Sequence, residues 1–284
     1  MTINYWSLRV TEFVVRSNIL LITAVVLLSL ATGVLAGGQP HTGLYLLLLA
    51  AACSFEYFLH HYLKFILSGN RNAPEKFSWL LHNLKAVRVI ILLSGAVTVI
   101  TFLLVSRTVM LIVLLTGFFT LLYSLPARGE GSVFSLRRIP LLKTFATALI
   151  WTVITVFVPF ADAGFVETTG LSLIFFTRLL LLFSVALLFD LRDVAEDRSA
   201  GILTIPGLAG RRLTLVLVSV LLLGFMGASC LLPVAMPDRL LPALAAAAPL
   251  LMLIFIPRLW ADDLILALVL DGSLVVYGLG VLLG

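Results

Sequence analysis

The sequence predicts an all-α integral membrane protein with nine transmembrane helices and a cytoplasmic N-terminus. Three observations carry this. The chain is 61% hydrophobic and only 12% charged, with a mean hydropathy of +1.17, whereas a soluble domain carries about a quarter charged residues. Its apolar runs are each close to the ~20 residues that cross a bilayer. Of the 19 lysines and arginines, all but Arg107, Arg178 and Arg239 fall on one side of those runs, the bias that marks a cytoplasmic face.

The runs are roughly 18–36, 43–64, 86–105, 108–125, 143–161, 170–190, 212–235, 240–256 and 263–283. All are read as helices, because backbone groups left unpaired in lipid are too costly. The first follows Arg9 and Arg16 and ends in the small residues Ala36, Gly37 and Gly38. Its apolar stretch is longer than the ~7–15 residues of a signal peptide and further spans follow, so an uncleaved helix is expected. Arg178 is expected to snorkel to the outer interface. Asp162, Glu167 and Asp238 fall in outer loops, and no role is assigned to them.

Length leaves room for one transmembrane domain over 1–284 and no soluble one. Topology and anionic headgroups account for the net charge of +5, so nothing calls for nucleic acid. Cys53 and Cys230 lie in apolar runs without metal or redox spacing. The longest polar connections, 65–85, 126–142 and 191–211, all fall on the cytoplasmic side, where function is sought.

One of these connections stands out. DLRDVAEDRSAGILTIP, from Asp190 to Pro206, follows an apolar run. If the sixth span continues as a helix, the i, i+3, i+7 spacing puts Asp190, Asp193 and Asp197 within about 60° of one face and over about 10 Å of axis. Three aligned carboxylates call for a cation. Hard oxygen ligands without thiolate or imidazole suit Mg²⁺, which bridges carboxylates to substrate phosphates. Arg192, Arg198, Arg211 and Arg212 could meet the remaining phosphate oxygens. The alternative from spacing alone is a solvated charged loop.

The same stretch closely resembles the second aspartate-rich motif of the UbiA superfamily of intramembrane prenyltransferases, DxRDxxxDxxxGxxTLP. Gly201, Thr204 and Pro206 fall in place, and GLAGRR follows. Arg16-Ser17-Asn18 is similar to the family's Arg-x-Asn at the first helix, YSLP at 123–126 to its Tyr-Ser-x-Pro, and RRIPLLKTFATALIW at 137–151 to the Lys-bearing start of its fifth helix. Asp271-Gly272 stands where the family often has DG.

The resemblance implies nine helices around a central cavity open to lipid, capped on the cytoplasmic side. It implies an Mg²⁺-dependent transferase that moves an isoprenyl group from a prenyl diphosphate to an aromatic or other lipophilic acceptor. By position, Asp190, Asp193 and Asp197 would be catalytic metal and diphosphate ligands. Lys143 would contact the diphosphate, and Asn18 and Tyr123 would line the chamber. The expected location is the cytoplasmic membrane, the inner one of a bacterium.

The family's first motif, NDxxD, is missing, and no aspartate precedes Arg128. Glu56 in FEYFL is the nearest substitute and is carried as a substrate-binding candidate, since an acid inside a span is costly and usually functional. His60 and His61 point about 100° apart on a helix, which argues against chelation by the pair; they are read as interfacial. Asn70, Arg71, Asn72 and Glu75 could complete a polar mouth. Two further readings stay open. One is a UbiA-fold protein that binds a prenyl lipid or diphosphate without transfer. The other, a transporter resting on Glu56 and Asp271, lacks the paired interrupted helices of inverted-repeat carriers.

Overall fold

The computed structural model describes residues 13–15, 17–36, 38–63, 82–124, 142–164, 170–199 and 201–284. Among these there is no strand, and the helices are α1 (Ile19–Leu35), α2 (Leu44–Tyr62), α3 (Leu84–Leu104), α4 (Arg107–Ser124), α5 (Leu142–Ala163), α6 (Leu171–Arg192), the short α7 (Val194–Ser199), α8 (Ile205–Ser229), α9 (Met236–Phe255) and α10 (Asp263–Leu283). A 3₁₀ turn, Pro257–Ala261, precedes α10. Seven of these helices are long and apolar enough to cross a membrane, while α1 and the Arg107–Thr120 part of α4 are shorter.

Leu92, Leu103, Leu114 and Phe118 on α3 and α4 are exposed, as lipid-facing side chains should be. The larger buried core instead lies between α1, α5, α6, α8, α9 and α10. Close approach there depends on glycine. A Cβ on Gly278 of α10 would stand 2.7 Å from Leu27 Cβ of α1, so only a hydrogen at this position lets the two helices meet.

Arg178 does not snorkel. It is 1% exposed, its Nη1 donates to Leu28 O at 2.9 Å and its Nη2 to Thr32 Oγ1 at 3.4 Å, with the guanidinium 5.6 Å from the centre of the Tyr277 ring. The reason lies in α5. Pro159 has no N–H for the carbonyl of Thr155 four residues back, and Thr32 Oγ1 donates to that carbonyl instead at 2.8 Å. Arg178, Thr32 and Thr155 thus form a polar chain across α6, α1 and α5 that satisfies groups lipid cannot.

Asp162 also has a partner. His41 Nε2 lies 2.9 Å from its Oδ2, and Tyr45 donates to His41 O at 2.6 Å. This ties the connection before α2 to the end of α5.

The polar segment after α6 is built differently from the single helix its spacing suggests. Asp193 ends α6 with φ −91° and ψ 9°, and α7 starts anew. Gly201, at φ +69°, closes α7 with Gly201 N donating to Arg198 O at 3.1 Å and Ile202 N to Asp197 O at 2.9 Å, the paired bonds of a Schellman cap. Thr204 then caps α8, accepting from Gly207 N at 3.3 Å, with Pro206 in the first turn where no N–H is needed. So α8 begins at Ile205, earlier than hydropathy suggests, and kinks at Gly210, φ +78°.

Candidate active site

Five helices, each presenting a stripe at helical spacing, line a cavity of about 810 Å³ together with Glu196 and Asp197 of the short α7. On α1 the stripe is Leu21, Ala24, Val25 and Leu28, with Asn18 just before the helix; on α5 it is Lys143, Thr144, Thr147, Ala148 and Trp151. On α6 it runs from Leu182 through Val185 and Ala186 to Phe189 and Asp190. Ala267, Asp271 and Leu274 belong to α10, and Tyr57, His60 and His61 to α2. Polar residues gather at the end where α6 stops and α5 starts. Apolar residues line the remainder.

At the polar end, Lys143 Nζ stands 2.9 Å from Asp190 Oδ1 and 2.6 Å from Asp197 Oδ2. The other Asp190 oxygen accepts from Thr144 Oγ1. Asp190 and Asp197 are 5% and 6% exposed, so both carboxylates are held where water compensates them little, and the ammonium between them does that work. Asp193 takes a separate path. Arg192 Nε and Nη2 hold its two oxygens at 2.8 and 2.9 Å, and the guanidinium lies 4.9 Å from the centre of the Phe189 ring.

Of the residues the sequence singles out, Asp190, Asp193, Asp197, Lys143, Arg192 and Asn18 all line this cavity. Arg198 is not among its lining residues; its Nη2 reaches Gly207 O at 3.4 Å. Arg211 lies 4.6 Å from the Trp260 ring. Glu56 is also not among the lining residues, because Tyr57, His60 and His61, at i, i+3 and i+4, share the face that α2 turns inward. His61 Nδ1 donates to Tyr57 O at 2.8 Å and its ring packs 4.4 Å from that of Tyr57. The side chain of Tyr123, together with Arg16, Asn70, Arg71, Asn72 and Glu75, lies outside the described residues.

Sequence reasoning passed over Thr144, His60, His61, Asp262 and Asp263 as lining residues. The usable signal was the pairing of Lys143 with Thr144 on one helical turn, and an acid-rich start of α10, where Asp262 accepts from Leu264 N and Ile265 N at 2.8 and 3.2 Å. Among the described residues, no three histidine, cysteine or acidic side chains form a ready metal-holding group. What the mouth does present is two hard carboxylates converging on one cation, a donor chemistry that fits Mg²⁺.

The sequence model of the UbiA prenyltransferase family matches residues 80–264. The chain belongs to this family. Solved UbiA homologues share its fold. One from Archaeoglobus fulgidus, bound to DMAPP and Mg²⁺, is 14% identical with a TM-score of 0.60, covering 95% of this chain and 99% of its own. The same protein bound to GPP and Mg²⁺ gives 14% and 0.61, over 96% of this chain and 100% of its own. An apo homologue from Aeropyrum pernix is 16% identical with a TM-score of 0.64, covering 92% and 97%. No curated protein matches. This UbiA-family protein is therefore an all-α, multi-pass integral membrane protein.

Proposed function

We propose that this UbiA-family chain is a prenyltransferase that moves an isoprenyl group from a prenyl diphosphate to a lipophilic acceptor. The observation that carries the reading is the placement of Lys143, Asp190 and Asp197 together at the polar end of an otherwise apolar cavity. Its size falls within the ~300–1,000 Å³ of sites that enclose ligands. The diphosphate-bound and Mg²⁺-bound homologues support it.

In this reading the apolar stripes of α1, α5 and α6 hold the isoprenyl chain. Lys143 leaves its two carboxylates to meet diphosphate oxygens. Asp190, Asp193 and Asp197 would hold Mg²⁺, which supplies charge to offset the negative charge growing on the departing diphosphate. The faces of Trp151 and Phe189 can stabilise positive charge on the allylic carbon, and the apolar wall keeps water from it. The chain crosses nine times as one domain, with its N-terminus and the cavity mouth on the cytoplasmic side of a bacterial inner membrane, as the charge bias supports.

A second reading, binding without transfer, draws on the bidentate hold of Arg192 on Asp193 and on the absence of NDxxD. One experiment separates the two. The purified protein in lipid is offered geranyl, farnesyl and geranylgeranyl diphosphates with Mg²⁺ and a panel of acceptors, and diphosphate release and prenylated product are measured. Product that is lost on Asp190→Ala/Asp193→Ala supports transfer. Binding that depends on Mg²⁺ but yields no product supports the second reading.

A further inference from the structure

The cavity has a floor, built by the four helices that reach its depth. The lining residues furthest from the polar mouth are Leu28 on α1, Trp151 on α5, Leu182 on α6 and Leu274 on α10. One helical turn deeper on the same helices stand Thr32, Thr155, Arg178 and Tyr277, all buried. These are the residues that the polar chain through the membrane core joins. Arg178 donates to Leu28 O and Thr32 Oγ1, Thr32 donates to Thr155 O, and the Tyr277 ring stands 5.6 Å from the guanidinium. The network therefore crosses under the cavity at a single level.

The floor is closed at its sides and from below. α1 packs on α10 and α5, α5 on α6, and α6 on α10. Beside the floor the α1–α10 seam is tight, with Gly278 against Leu27. Beyond it Leu35, Phe160, Ile174 and Val281, each 5% exposed or less, fill the interior. Pushing the guanidinium aside would strip a charge of its partners where lipid offers no others. Lys143 and Asp190 at the mouth each stand twelve residues from the floor residue of their own helix, Thr155 and Arg178, a depth of about 18 Å at about 1.5 Å per residue. An extended isoprene unit advances by about 5 Å over four carbon–carbon bonds of about 1.5 Å each. Three units, about 15 Å long, fit between mouth and floor, and a fourth, which brings the chain to about 20 Å, does not.

We propose that Arg178, with Thr32, Thr155 and Tyr277, limits the length of the donor, so that this protein takes prenyl diphosphates of up to three isoprene units and rejects those of four or more. This rests on reading the cavity as a prenyl diphosphate site. None of the four residues meets the reacting atoms. They determine specificity through the depth they fix, and Arg178, reaching from α6 to α1 and α10, is the centre of the floor.

The test measures binding apart from turnover. Thiolo analogues of geranyl, farnesyl and geranylgeranyl diphosphate, which resist ionisation, are dialysed with Mg²⁺ against the full-length protein in detergent, with correction for micelle partition and a check of each variant's thermal unfolding. The wild type should bind the geranyl and farnesyl analogues, and the geranylgeranyl analogue about tenfold or more weaker than the farnesyl one, the scale of forcing extra carbons into a filled interior. Arg178→Ala, which opens the floor, should bring the geranylgeranyl analogue to within about threefold of the farnesyl one, while Arg178→Met, which keeps most of the bulk, should preserve the gap. Equal binding of the two longer analogues by the wild type, or an unchanged gap in Arg178→Ala, would overturn the proposal. Should Arg178→Ala fail to fold, Leu182→Trp carries the test from the other direction. Raising the floor by one turn, it should reject the farnesyl analogue and keep the geranyl one, and undiminished farnesyl binding would overturn the proposal. Failure of all three analogues to bind would refute the diphosphate reading itself and this inference with it. A clear length limit in a protein that makes no prenylated product would support the floor and refute transfer alone.

Discussion

Lys143 and Asp197 lie 54 residues apart in the chain, yet Nζ and Oδ2 meet at 2.6 Å. With Asp190 Oδ1 2.9 Å from the same ammonium, this contact joins α5, α6 and α7 at the mouth of the cavity. Removing the cation by Lys143→Met takes from the two carboxylates the ammonium they share, leaving Asp190 only its bond from Thr144. Breaking a buried pair from one side costs about 3–5 kcal/mol, so the variant should unfold at a clearly lower temperature in detergent. If the transferase reading holds, its diphosphate release should also fall by about a hundredfold, the scale of one lost electrostatic contact to a transition state. Stability and diphosphate release, measured side by side, test both statements.

The polar chain through the membrane core yields a different outcome. Thr32→Val keeps the shape of the side chain but strips the Thr155 carbonyl, already deprived by Pro159, of its donor. A buried acceptor left unmade costs about 1–3 kcal/mol. Arg178→Met should add to this less than its own separate loss, because Arg178 and Thr32 share one network. A double-mutant cycle on thermal stability measures that coupling. Neither residue lines the cavity, so diphosphate affinity should hardly change.

Gly201→Ala tests backbone conformation alone. A Cβ there meets nothing within 4 Å, but the residue sits at φ +69°, a region that costs an L-residue about 1–2 kcal/mol. The loss should fall on α7 and hence on the position of Asp197. Mg²⁺-dependent ligand binding should therefore weaken more than global stability, and Gly201→Asn should be milder, since asparagine tolerates this region.

Gly278→Ala tests a close approach. The added carbon would lie 2.7 Å from Leu27 Cβ, so α1 and α10 must separate. Overpacking of this kind costs about 1–3 kcal/mol. Thermal unfolding of Gly278→Ala should be lower than wild type by more than that of Gly117→Ala, where a Cβ meets nothing within 4 Å.

Much of this protein was legible before any coordinates. Membrane class and the approximate helices follow from hydropathy and charge, and the acidic stretch that lines the cavity is conspicuous by its spacing, because these signals act locally along the chain. Gly201, Thr204 and Pro206 are placed only by resemblance to the family motif; the structure supplies their roles as a positive-φ cap, an N-cap and a first-turn proline. Even so, local pattern did not reveal the break at Asp193, where the carboxylates of one apparent helix face divide between Lys143 and Arg192.

Only the tertiary structure could decide which polar groups meet. Arg178 reads as an interfacial charge by its depth in the sequence, and its real partners are a carbonyl and a hydroxyl on α1. Glu56 is the more conspicuous residue of α2, yet the rotation of that helix turns Tyr57, His60 and His61 to the cavity. Helix rotation, register and neighbour choice are set by packing between distant segments, such as Gly278 on Leu27. Lipid offers no polar partner, so every buried donor and acceptor must find its match across those contacts. The sequence by itself determined where the apolar helices lie and where charge collects; the packing of helices far apart in the chain decided which of those charges meet at the cavity.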